Sequence, residues 1–286
     1  MLDTLAARYV AHRLAAREIQ PDTAAGLRRV LRDLARHVPD DPDRVTQRQI
    51  ERWLGRARSP GTRRHRLSTA RNFWRWMIIE CHTRTDPTIA IRAPRVVIGL
   101  PRNLPQPDAA ALVRASSDPR TRLAVLLELQ EGLRLIEVAR AQLGDVDLHR
   151  RMLIVRGKGG GGQPTRAVPL SEETQVALGI YLDERGVIGG PLLQSRLHPG
   201  QGISAAYIGR LVRRAMVDAG LKRAPHDGRS PHALRHTCAQ DMIDSGADIR
   251  QVQKALGHAT VRTTEWYLRG EVSGLREAMA GRRYAS

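Results

Sequence analysis

The chain has 286 residues, 41% of them hydrophobic, and its 47 Lys and Arg against 29 Asp and Glu give a formal charge of +18. That apolar content suits the packed cores of two ordinary domains and argues against disorder, while no apolar run approaches the roughly 20 residues that span a bilayer, so membrane insertion and secretion are not expected. A cation excess of this size predicts nucleic acid as the partner.

All the cations are arginine except Lys158, Lys222 and Lys254. A biased genome can favour Arg over Lys, but it does not create an excess over acids. Cys81 and Cys238 lie far apart and match no redox or metal-ligand spacing, which predicts two packing residues in a reduced, cytoplasmic protein.

In chain order, residues 1–85 read as four helices, over 2–16, 22–37, 46–57 and 62–80, with Thr or Asp available to cap three of the starts. In the fourth, Leu67, Ala70, Trp74 and Met77 follow helical spacing, and Arg64, Arg71 and Arg75 fall on another side. One face can pack while the other meets DNA phosphate. Residues 86–107 hold Pro87, Pro94, Pro101, Pro105 and Pro107 and no apolar period, which predicts a linker, with a Pro-rich surface loop as the alternative.

Residues 108–286 form the second predicted domain. Helices are expected over 108–115 and 120–131, then a turn, a short helix and an exit in "GLRLIEVARAQLGDVDL". "RMLIVRGK" and "TRAVPL" read as two strands around the glycine run 159–162, and from Ser171 the chain reads as helical throughout, including 204–219, 231–244, 248–256 and 261–268. The fold class is mainly α with a small β-sheet.

Four places carry chemistry. Ser230 suits a helix N-cap and Pro231 the first helical position, which sets His232 and Arg235 three apart on one face near an end that favours anions. His232 and His236 are four apart, as zinc ligands can be, but the Glu of the metalloprotease motif is missing and Arg235 would repel the ion, so no metal is expected. Lys158 precedes its glycines, whereas the lysine of a phosphate-binding loop follows them and opens a helix. By itself it reads as a solvated turn residue, though lysine can donate a proton where arginine cannot. Finally, "LGHATVRTTEWYLR" sets His258 nine residues before Tyr267.

In this order the motifs resemble those of the tyrosine recombinases, the family of phage integrases and Xer-type recombinases. "GLRLIE" resembles the first arginine motif and the strands around Lys158 the lysine hairpin. "HALRH" matches His-x-x-Arg, and "LGHATVRTTEWY" the final His and Tyr. The likeness covers most of the chain, with its specificity in residues 132–267. It departs from the family at Glu131, where Thr is frequent, at Arg269, where His is common, and in a longer lysine hairpin.

The resemblance implies a helical core-binding domain followed by a catalytic domain, with no separate arm-binding domain ahead of them. Tyr267 would be the nucleophile, attacking a DNA phosphodiester to form a 3′-phosphotyrosyl link without ATP, metal or other cofactor. Arg134 and Arg235 would hold the non-bridging oxygens, and His258 would hydrogen-bond the phosphate. His232 would accept the tyrosine proton and Lys158 would protonate the leaving 5′-oxygen. Glu137 can orient Arg134 or form a plain intrahelical ion pair, and His236 is expected to support the site. The partner would be double-stranded DNA with short inverted-repeat core sites, bound by a homotetramer that passes through a Holliday junction. The tail 268–286, with Val272, Leu275 and Met279 at helical spacing, packs in cis or docks on a neighbour. Integration or excision of a mobile element such as a phage is the first expectation, and Xer-like resolution of chromosome or plasmid dimers the second. A type IB topoisomerase and a non-catalytic helical DNA-binding regulator are the rivals outside the family.

Overall fold

The structure is a computed structural model that describes residues 1–95, 103–156, 164–186, 189–222 and 229–257. The chain divides into two compact units, Met1–Ile98 and Gly99–Ser286. Lys158, the glycine run, His258, the helix expected over 261–268, Tyr267 and the tail lie outside the described residues.

The first unit holds four helices: α1 Leu2–Ala15, α2 Pro21–Ala35, α3 Gln47–Gly55 and α4 Pro60–Ile79. The start of α4 lies two residues before the expected Thr62, because Ser59 is the cap: its Oγ accepts the Thr62 N–H at 3.1 Å, and Pro60 fills the first turn. Leu5, Val10, Leu31, Leu34, Ile50, Leu54, Leu67 and Met77 pack around Trp53, Phe73 and Trp74. Asp33 accepts the Trp53 indole N–H at 2.8 Å and pairs with Arg66 at 3.0 Å, whose guanidinium lies 5.2 Å from the Trp53 ring centroid. Arg66 therefore serves the fold. Arg64 and Arg75 are exposed, whereas Arg71 is half-buried and donates to the Ile91 carbonyl. Ile91 itself is buried in this core.

The second unit contains α5 Gln106–Ala115, α6 Pro119–Leu129, α7 Leu135–Arg140, β1 Val146–Asp147, β2 Met152–Arg156, β3 Pro164–Pro169, α8 Glu172–Arg185, α9 Ala205–Asp218, α10 Pro231–Asp244 and α11 Ile249–Leu256. In α6 every residue from Leu123 to Leu129 is buried, and the helix packs against α8, α9 and α10. A helix apolar on nearly every side belongs at a centre. The antiparallel sheet runs β1-β2-β3, with Leu153 opposite Val168 and Val155 opposite Arg166. The third strand, β1, is too short to show an alternation in the sequence.

Two expectations need correction. The chain is not helical throughout after Ser171: between α8 and α9 the described residues 189–204 form turns and isolated bridges, Gln142 with Pro191 and Gln194 with Gly202. Gly189, Gly190, Pro191, Pro199, Gly200 and Gly202 supply the reason, since Gly and Pro are the poorest helix formers and Gly190 and Gly200 adopt positive φ. Cys238 packs in the interior as expected, but Cys81 is exposed in a left-handed conformation just past α4.

Gly132 ends the turn after α6 with φ +64, and a Cβ there would lie 2.4 Å from Leu256 Cδ2 and 3.0 Å from Cys238 Sγ. Gly132→Ala combines left-handed strain with overpacking between α10 and α11, a cost of roughly 2–5 kcal/mol in all. Denaturant unfolding checks this, and an unchanged midpoint would contradict the packing around Gly132.

Candidate active site

The turn at Gly132 delivers Arg134 to the N-cap of α7. Glu137, three residues on, accepts the Arg134 backbone N–H at 2.9 Å, which closes the first turn of this short helix. The same carboxylate is 6% exposed by residue and draws three arginines around it. Arg134 Nη1 donates to Oε1 at 2.8 Å, and Arg166 forks onto both oxygens at 3.1 and 2.9 Å. Arg235 Nη1 stands 3.6 Å from Oε2 and donates to the Gly132 carbonyl.

The other ends of these guanidiniums converge on the C-terminal end of α11. Arg166 Nε donates to the Ala255 carbonyl at 2.7 Å, Arg235 Nη2 to Leu256 at 2.5 Å, and Arg134 Nη2 reaches Gly257 at 3.4 Å. A helix C-terminus leaves carbonyls unpaired and carries partial negative charge, so three consecutive oxygens attract three cations. Arg134, Glu137 and Arg235 are thus brought together from the start of α7 and from α10.

Arg166 was missed by the sequence analysis. It shares a face of β3 with the buried Val168, and a charged residue on the apolar side of a strand was the available clue. Burial opposes the ionised form of Glu137, but its hydrogen bonds and charge pairing with Arg166, then with Arg134, hold its pKa below the ordinary value. Among the described residues, three guanidiniums meet this one carboxylate, an excess of two positive charges.

His232 and His236 follow on α10, with ring centroids 5.9 Å apart. His232 reaches solvent, yet partial desolvation of its ring and the charges of Arg235 and Arg134 lower its pKa below 6.5. Burial, then His232 and Arg235, bring half-buried His236 down to about 4. Both imidazoles are neutral near pH 7, the form that accepts a proton. Among the described residues no group of three or more His, Cys, Asp or Glu could hold a metal ion, and no helix is long and apolar enough to cross a membrane.

Glu131, the departure beside Gly132, turns toward the start of α8. It accepts the Ser171 N–H at 2.9 Å and the Thr174 hydroxyl at 3.1 Å. Burial raises its pKa to about 7 despite these bonds. With a folded pKa above the ordinary 4.5, its contribution to stability is fully present below pH 4.5 and is lost as pH rises to 7. In Glu131→Gln that loss is absent. The stability of the variant relative to wild type should therefore climb across this window, by on the order of 3 kcal/mol. His236 contributes a slope of opposite sign, but it is common to both proteins and cancels in the difference. Urea unfolding at several pH values measures it, and a flat difference would show that Glu131 ionises normally.

A profile of the phage integrase family matches residues 102–272, more than half of the chain and the whole of the arginine cluster. The chain belongs to this family, the tyrosine recombinases. It is 33% identical over 278 residues to tyrosine recombinase XerC of Corynebacterium efficiens, covering 90% of this chain and 83% of that protein. It is also 31% identical over 305 residues to tyrosine recombinase XerD of Mycobacterium tuberculosis, covering 96% and 95%. In fold the recombinase resembles lambda integrase, in the crystal structure of its tetramer bound to a Holliday junction, with a TM-score of 0.71 at 22% identity over 91% of this chain and 77% of that one. As a tyrosine recombinase, the protein cleaves and rejoins DNA.

Proposed function

We propose that this recombinase works in the Xer manner, exchanging strands between two short inverted-repeat sites and so resolving joined DNA circles. The observation that carries the chemistry is the surplus of positive charge where Arg134, Arg166 and Arg235 share Glu137. A phosphodiester passing through a pentacoordinate transition state gathers negative charge on its non-bridging oxygens, and guanidinium forks match two oxygens at once. Arg134 and Arg235 supply the forks, and His258, one residue past the α11 carbonyls, adds a hydrogen bond.

Tyr267 Oη attacks phosphorus, His232 takes its proton, and Lys158 protonates the departing 5′-oxygen. The products are a 3′-phosphotyrosyl bond and a free 5′-hydroxyl. That hydroxyl on a partner strand then attacks the link, so bond energy is conserved and the cycle needs no ATP. The neutral state of His232 supports its role as acceptor. His236 supports the site from the next turn of α10.

Residues 1–85 act as the core-binding domain with Arg64 and Arg75 toward phosphate, residues 86–107 as a linker and 108–286 as the catalytic domain. Arg71 joins that face with the guanidinium hydrogens that the Ile91 carbonyl leaves over. Integration or excision of a mobile element stood first on sequence, but the curated relatives described above are Xer proteins, and this favours dimer resolution. Four protomers on a Holliday junction fit the fold shared with lambda integrase.

The test uses a site selected from a random inverted-repeat library and placed twice, in direct repeat, in a supercoiled plasmid. The purified protein should convert it into two smaller circles. Relaxation without exchange would identify a topoisomerase, and product that forms only with an added directionality factor would favour the integration reading.

A further inference from the structure

Arg166 is the arginine of this cluster to which the catalytic scheme gives no contact with a reacting group. Its side chain is 6% exposed and places all three of its nitrogens. Two form the fork on Glu137, and Nε holds the Ala255 carbonyl. It also fills the space beside Gly257, where φ is +62 and a Cβ would lie 2.8 Å from Arg166 Nη1. One side chain on β3 therefore ties α7, which Arg134 caps, to the last turn of α11, which His258 follows. The strand that carries it is the return arm of the lysine hairpin.

We infer that Arg166 is a positioning residue of the recombinase, holding Glu137 and the end of α11 so that the phosphate-binding groups meet in one geometry. The inference rests on the proposed catalytic roles. It has two physical parts. Without the fork, Glu137 is free to draw Arg134 and Arg235 onto itself, because a buried carboxylate recruits whatever cations remain. Without the Nε bond, the Ala255 carbonyl loses its partner, and the chain entering the His258 segment is less fixed. A lysine at 166 restores the charge but has neither the planar fork nor the separate Nε donor. Arg166 touches no reacting atom in this scheme, so its effect should fall on the rate of chemistry and leave DNA affinity alone.

The test compares wild type, Arg166→Lys, Arg166→Gln, Glu137→Gln and the double variant Arg166→Lys/Glu137→Gln. Each is assayed on a nicked half-site that traps the covalent adduct, at saturating protein, with binding measured separately by gel shift and folding by thermal melting. Wild type must form the adduct; if it does not, the catalytic reading fails before the role of Arg166 is addressed. Arg166→Lys should melt cooperatively and bind within about twofold of wild type while its cleavage rate falls roughly 10- to 100-fold. In the Glu137→Gln background the same lysine substitution should cost much less, because residues that act through one another are not additive. A folded Arg166→Lys that cleaves at the wild-type rate overturns the inference. So does a loss confined to affinity, or one that stays fully additive with Glu137→Gln. If Arg166→Lys melts early, Arg166→Gln and both rates at reduced temperature decide: normal cleavage by the folded fraction means that Arg166 only stabilises the fold.

Discussion

The Tyr267→Phe variant will bind a single core site with wild-type affinity and form no covalent adduct with it. The substitution keeps the ring and deletes one oxygen, the atom assigned to attack phosphorus. Binding draws on many phosphate contacts spread over a strongly cationic chain and has little to lose from one neutral atom. Chemistry has everything to lose, since the attacking oxygen is the atom removed. A nicked half-site, denatured and run on a gel, reports the adduct directly. An adduct that persists in the Phe variant would move the assignment, and Tyr284, the only tyrosine further along the chain, would be tested next.

Arg134→Ala will slow single-turnover cleavage by roughly 10²–10³-fold, the usual cost of removing one donor to a charged transition state. Its side chain is about a third exposed (35%), unlike the buried Arg166 and Arg235, so it is the member of the cluster most open to DNA. Folding should change little. Glu137 keeps the Arg166 fork and the backbone N–H of residue 134, and α7 keeps its cap. Arg134→Lys should fall between the two, retaining charge without the fork. Cleavage within about threefold of wild type for the alanine variant would mean that Arg134 serves the fold of α7, and that the phosphate is held elsewhere.

Glu131 and Glu137 show why neighbouring carboxylates needed the structure to be told apart. Each stands three residues from Arg134, so spacing along the chain does not tell them apart. The backbone reverses at Gly132, so Glu131 leaves toward Ser171 and Thr174 while Glu137 turns inward to the arginines. Which way a side chain leaves a turn depends on φ and on what packs beyond it, here Leu256 and Cys238 from helices more than a hundred residues away.

The sequence by itself determined the cationic character, the four opening helices, the Ser-Pro start of α10 and the ordered motifs that mark the family. These follow from local spacing, capping and composition, which need no distant partner. Only the tertiary structure decided that Arg166 belongs with Arg134 and Arg235 and that Glu137 is their shared carboxylate. It also decided that the carbonyls of Ala255, Leu256 and Gly257, at the end of α11, complete the cluster and that residues 189–204 are not helical. Those outcomes depend on contacts between segments remote in the chain, where a buried charge must find a partner and a strand's register fixes which residue faces it.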